Sequence, residues 1–101
     1  MMIDVCAGSP RFKVRLHGTE LVLRARYDLT GRFLENLPNV EYRAYVLERC
    51  ASLLTRGEPE IVHHNRILDG EIRHYEALWL PFSEDGRSIS MLLCALIYQT
   101  Q

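Results

Sequence analysis

Residues Pro59 to Gln99 read PEIVHHNRILDGEIRHYEALWLPFSEDGRSISMLLCALIYQ. Two Asp-Gly dipeptides, Asp69-Gly70 and Asp85-Gly86, cut this stretch into three runs rich in β-branched and aromatic residues. Asp-Gly between such runs is a hairpin signal, because glycine takes the positive φ that a tight turn demands. The stretch therefore predicts a three-strand antiparallel meander. Its last two strands are apolar on both faces, so both faces are expected to be covered at the centre of the sheet. Glu76 is the exception, a carboxylate between Tyr75 and the run Ala77 to Phe82. Buried and unpaired it would cost on the order of several kcal/mol. Symmetric pairing about Asp69-Gly70 sets it near His63, and a cross-strand Glu–His or Glu–Arg pair contributes roughly 0.2–1 kcal/mol. Pairing, rather than acid catalysis, is the expected role of Glu76.

Upstream, "MIDVCA" alternates briefly and ends at Gly8-Ser9-Pro10, and "RFKVRLHG" alternates cleanly after it. Phe12, Val14 and Leu16 are expected on one face, with Arg11, Lys13, Arg15 and His17 on a cationic outer face. The two runs make a hairpin. Thr19 is a reasonable N-cap for one or two helical turns that turn Leu21, Val22 and Ala25 inward. "LTGRFLENLPN" reads as a loop with a helical turn, punctuated by Gly31 and Pro38. From Tyr42 the pattern is helical: Val46, Leu47, Cys50, Leu53 and Leu54 form one stripe, and Gly57 with Pro59 ends it. Two strands, a helical middle and three strands make an α+β domain.

A chain of 101 residues is one domain with a single core. Hydrophobic and charged fractions of 48% and 25% are those of a globular chain, and exclude wholesale disorder. A net charge of -1 supplies no field for nucleic acid. The basic strand face has no interleaved aromatic residues to stack bases. "MMIDVCAGSP" lacks the basic and apolar regions of a secretion signal, and Met91 to Tyr98 is too short to span a bilayer. Cys6, Cys50 and Cys94 are isolated and odd in number. Three reduced, mostly buried thiols in a cytoplasmic protein are expected.

Motifs for chemistry are sparse. His63 and His64 are adjacent, so on a strand they point to opposite faces and cannot share one ion. His64 and His74 approach across the hairpin, but two histidines do not complete a metal site. No G-x-S-x-G, H-E-x-x-H or phosphate-cradling loop occurs. The lack of such motifs leaves a binding module, not an enzyme, as the expected reading; a small α+β-cone enzyme with one buried carboxylate is the more distant one.

Several stretches, in order, carry a resemblance: "RFKVRLHGTEL", "DLTGRFLENL", "RGEP" before the third strand, and "YEALWLPFSEDGRSISMLL". From Phe12 to Ile97 the chain resembles the single-domain PAS proteins of alphaproteobacteria. The resemblance implies a five-stranded antiparallel sheet in the order 2-1-5-4-3 with helices packed on one face. It implies a sensory or protein-interaction role, with signals passed by protein–protein contact, and frequent dimerisation. The flavin-binding members carry a reactive cysteine in an N-C-R-F-L-Q-type helix, which is absent here, and no local motif marks a haem ligand. Any cofactor is left unknown.

In such a domain the cavity lies between the inner sheet face and the helices. Candidate pocket residues are Leu34, Val46, Cys50, Val62, Leu78, Trp79 and Met91, with the phase of the apolar strands left open by the sequence. For each of them a plain core position is the favoured reading. Trp79 is the leading contact to a ligand or a partner chain, because its indole N–H needs an acceptor when buried; Tyr75 and Tyr98 serve similarly. Relatives often carry an amphipathic helix before the first strand, whereas this chain opens almost directly on that strand. The expected partners are therefore a second copy covering the outer sheet face and a signalling partner protein, together with a small-molecule ligand. A ligand-free adaptor is the alternative.

Overall fold

A computed structural model describes residues 1–18, 28–68 and 71–98. In chain order it contains strands β1 (Met2–Val5) and β2 (Phe12–Leu16), a 3-10 turn at Leu34–Asn36, helix α1 (Val40–Arg56), and strands β3 (Glu60–Leu68), β4 (Glu71–Phe82) and β5 (Met91–Tyr98). The five strands form one antiparallel sheet in the order β2-β1-β5-β4-β3, the order expected, with α1 packed on one face. The expected Thr19-capped turns with Leu21, Val22 and Ala25 lie outside the described residues, as do the Asp69-Gly70 turn and the side chains of His64, Tyr75 and Tyr98.

α1 begins two residues before the periodic pattern. Asn39 caps it, its side-chain oxygen accepting from Tyr42 N at 2.9 Å, which satisfies one of the first-turn donors. Gly57 closes it in the left-handed region at φ 67°, its N–H donating to Leu53 O at 2.8 Å. Val46, Cys50 and Leu53 are buried, and Leu47 and Leu54 pack against the same core. Opposite them stand Ile3, Phe12 and Val14 from the first hairpin, Ala77 and Trp79 from β4, and Leu92 and Cys94 from β5. Leu34 of the 3-10 turn fills the space beside the helix.

Polar ties hold helix and loop to the sheet. Glu60 of edge strand β3 accepts from Ser52 Oγ at 2.5 Å and from Arg49 Nη1 at 3.3 Å, both on α1. Glu35 of the 3-10 turn accepts from the backbone N–H groups of Arg11 and Phe12, so the first residues of β2 are capped by a carboxylate.

The cationic face expected on β2 is corrected at its end. His17 is buried at 5% exposure, and Leu16, expected inward, is 52% exposed. The register shifts between Met2 and Ile3, where Met2 pairs with Leu16 and Ile3 with Val14. That extra residue in β2 reverses the alternation beyond Arg15. His17 then turns inward, and its Nδ1 accepts from Leu29 N at 3.3 Å.

Candidate functional site

The two sheet faces sort the candidate residues. Leu34, Val46, Cys50 and Trp79 belong to the core, each 2% exposed or less, and Val62 packs against it. Ala77 and Trp79 face α1, so by the period of two Glu76, Leu78 and Leu80 face the other way. Leu78 and Met91 therefore do not join the other five: they stand on the outer face, separated from α1 by the sheet. Sequence holds the signal for this phase. A carboxylate belongs on the accessible face, so Glu76 marks its own side of β4 and places Trp79 on the other.

Around Trp79 the inner face is apolar and buried. Trp79 pairs with Cys94 across β4 and β5, and its Nε1 is buried with no hydrogen-bond acceptor among the described residues. Cys50 and Cys94 are both pushed up to about 12, chiefly by burial, which disfavours the thiolate. They are protonated at neutral pH and supply no nucleophile. All three cysteines are free thiols. Among the described residues no cluster of three or more His, Cys, Asp or Glu side chains is placed to hold a metal ion, and no helix is long and apolar enough to cross a membrane.

The outer face has a different character. Pairing aligns Ile61, Leu78 and Ala95 in one row, Leu80, Leu93 and Met2 in the next, and Phe82 with Met91 in a third. Ile61 is 65% and Phe82 42% exposed. With strands about 4.8 Å apart and same-face residues about 6.7 Å apart, these positions cover roughly 260 Å² in plan, the scale of one protein's larger exposed apolar patches. Its margins are polar. On the β2 side Arg15 Nη2 lies 2.7 Å from Asp4, and its hydrogen bond to that carboxylate raises the arginine further. Toward the β3–β4 hairpin, His63 Nδ1 lies 3.6 Å from Glu76 Oε1, the pairing expected for Glu76, and His74 bonds Asn65.

A third feature lies in the loop ahead of α1, where Asp28, Leu29, Arg32, Leu37, Pro38, Asn39 and Tyr42 line a pocket of about 380 Å³. Asp28 Oδ1 accepts from Thr30 N at 2.9 Å. Hydrogen bonds from the Thr30 hydroxyl and backbone hold the Asp28 carboxyl below its ordinary value. Sequence reasoning treats this stretch as a loop with a helical turn and assigns it no pocket of its own. The Pro38-Asn39 pair, a helix-start signal three residues before Tyr42, is the mark it overlooks.

No known protein family, curated protein or solved structure matches the chain.

Proposed function

We propose that this chain is a PAS-type signalling module, without catalytic activity, that passes its signal by protein–protein contact through the outer face of the sheet. The first occupant of that face is a second copy of the chain. One observation carries the reading: an apolar field on three strands and the start of β1, bordered by Arg15 and Asp4 on one side and by the His63–Glu76 and His74–Asn65 pairs on another, has the apolar-core and polar-rim anatomy of an interface. Five strands by four rows measure roughly 650 Å² in plan, close to the ~800 Å² per partner of a standard interface. The strand order agrees with what the resemblance implies, and three free thiols suit the cytoplasm. The signalling partner protein would then read the state of this dimer.

Between the two forms of this reading, an interior built from Leu34, Val46, Cys50 and Trp79, each 2% exposed or less, suits a ligand-free adaptor. A ligand held inside the domain is the second reading, and Trp79 Nε1 favours it, since a buried N–H without an acceptor is what a bound carbonyl or carboxylate would satisfy. Native mass spectrometry of protein purified from its own host tests the interior ligand directly.

Sedimentation velocity from about 1 to 100 µM tests the face, a range that brackets interfaces of micromolar strength. The expected result is a concentration-dependent dimer. Leu93→Glu, which places an unpaired carboxylate at the centre of the field, abolishes it while the near-ultraviolet signal of Trp79 is retained. A monomer at every concentration, or a dimer indifferent to Leu93→Glu, removes the reading.

A further inference from the structure

We propose that the 380 Å³ pocket ahead of α1 binds a small monocarboxylate with a compact apolar body, its carboxylate on Arg32 and its body against Leu29, Leu37 and Tyr42. The pocket contains no residue of the outer apolar field, so the proposal goes beyond the dimer reading and does not rest on it.

The pocket walls are fixed before any ligand arrives. Val14 N donates to Arg32 O at 2.8 Å, Gly31 N donates to Val14 O at 2.7 Å, and Arg32 N donates to Leu29 O at 2.9 Å, so β2 and a tight turn hold the loop. Gly31 accommodates that turn with φ 84°. His17 adds the acceptor for Leu29 N–H. On the far side Arg43 Nη1 donates to Leu37 O at 2.8 Å, and Asn39 caps the helix. A site with walls held this way loses little freedom on binding, which is where affinity for a small ligand is usually lost.

Its lining specifies the ligand. Leu29 and Leu37, 2% and 3% exposed, give an apolar floor, with the Tyr42 ring beside it. Among the described residues the Arg32 guanidinium has neither an ion pair nor a hydrogen bond, so its planar fork of donors is uncommitted. Such a fork matches a carboxylate in two parallel hydrogen bonds. The first turn of α1 opens on the same space and adds a partial positive charge. Asp28 works in the opposite sense: held ionised by Thr30, it repels a second acidic group and selects a monoacid over a diacid. The volume corresponds to roughly a dozen water molecules at about 30 Å³ each, which sets the size of the ligand.

A titration with 3-phenylpropionate, followed by nitrogen–proton correlation spectra, tests this. 3-Phenylpropionamide is the uncharged control and 3-(2-carboxyphenyl)propionate the diacid. The acid is expected to shift the amides of Leu29, Arg32, Asn39 and Tyr42 saturably, and the amide and the diacid to bind at least tenfold more weakly. Arg32→Gln weakens the acid by about tenfold, in keeping with loss of a charge-assisted pair, while shifts elsewhere in the spectrum are unchanged and report an intact fold. Absence of saturable shifts at these amides up to about 10 mM, enough to fill a millimolar site, overturns the proposal. Equal binding of acid and amide, or an unaltered Arg32→Gln titration, also overturns it. Because the readout is local, neither result depends on whether the outer face dimerises.

Discussion

Leu34→Ala separates a filled interior from one that keeps room for a ligand. Leu34 is fully buried at 0% exposure, on the 3-10 turn whose neighbour Glu35 is fixed by Phe12 N. That anchoring prevents the turn from sinking into a void. Truncation removes three carbons, about 2.4 kcal/mol of transfer free energy at about 0.8 kcal/mol each. The cavity left behind raises the cost toward about 3–5 kcal/mol when the surroundings cannot close. For a domain of this size that is a midpoint lowered by more than about 10 °C. Urea unfolding followed by Trp79 fluorescence, with wild type and variant fitted to the same slope, measures it. A loss below about 1 kcal/mol with unchanged slope would refute the reasoning, because Leu34 would then border space rather than fill it, and the interior-ligand reading would gain.

Glu60→Ala leaves Arg49 on α1 with only its 3.6 Å contact to Glu48 and removes the acceptor of the Ser52 hydroxyl; a loss of about 1–2 kcal/mol in urea unfolding is expected. Asp85 accepts from Ser88 N at 3.0 Å, Arg87 N at 2.8 Å and Ser83 Oγ at 3.0 Å, bonds that hold its carboxyl down to about 2. Its folded value is depressed, so its contribution is fully present above the unfolded value near 3.9 and is lost as pH falls through about 2. Wild type should therefore be more stable than Asp85→Asn at pH 5 and converge with it toward pH 2 in thermal unfolding; a difference independent of pH would contradict the assignment. Cys50 and Cys94 are buried, so a thiol reagent at pH 8 should label only Cys6 in the native protein and all three cysteines after denaturation. Fast labelling of all three would show that the interior opens. Glu76→Gln, at the margin of the apolar field, should change self-association less than about threefold, as rim charges do little for affinity.

Sequence reached the strand order only through a resemblance, but it reached the local elements by chemistry alone. Strands β3 and β4 pair as symmetry about Asp69-Gly70 requires, down to His63 opposite Glu76, whereas β4 and β5 pair off-centre from Asp85-Gly86, with Phe82 opposite Met91. The five-residue stripe of α1 faces the core, and Gly57 stops the helix. Such features depend on neighbours within a few positions, where φ preference, spacing and polarity act directly. Glu76 was legible for the same reason: one charged side chain in an apolar strand has few affordable positions.

What the sequence left open depends on contacts across distance. No charged side chain interrupts Met91 to Tyr98, so composition cannot say whether Met91 or Leu92 faces the helix; the register of β4 against β5 and the seat of α1 decide it. His17 and Leu16 exchange environments because β2 gains one residue against β1, an offset fixed by both strands together. The Arg32 pocket arises because the turn before it is tied to β2 and the turn after it to α1. Local sequence therefore determined the elements, while tertiary structure decided which side of each element is inside, since burial belongs to the assembled sheet and helix.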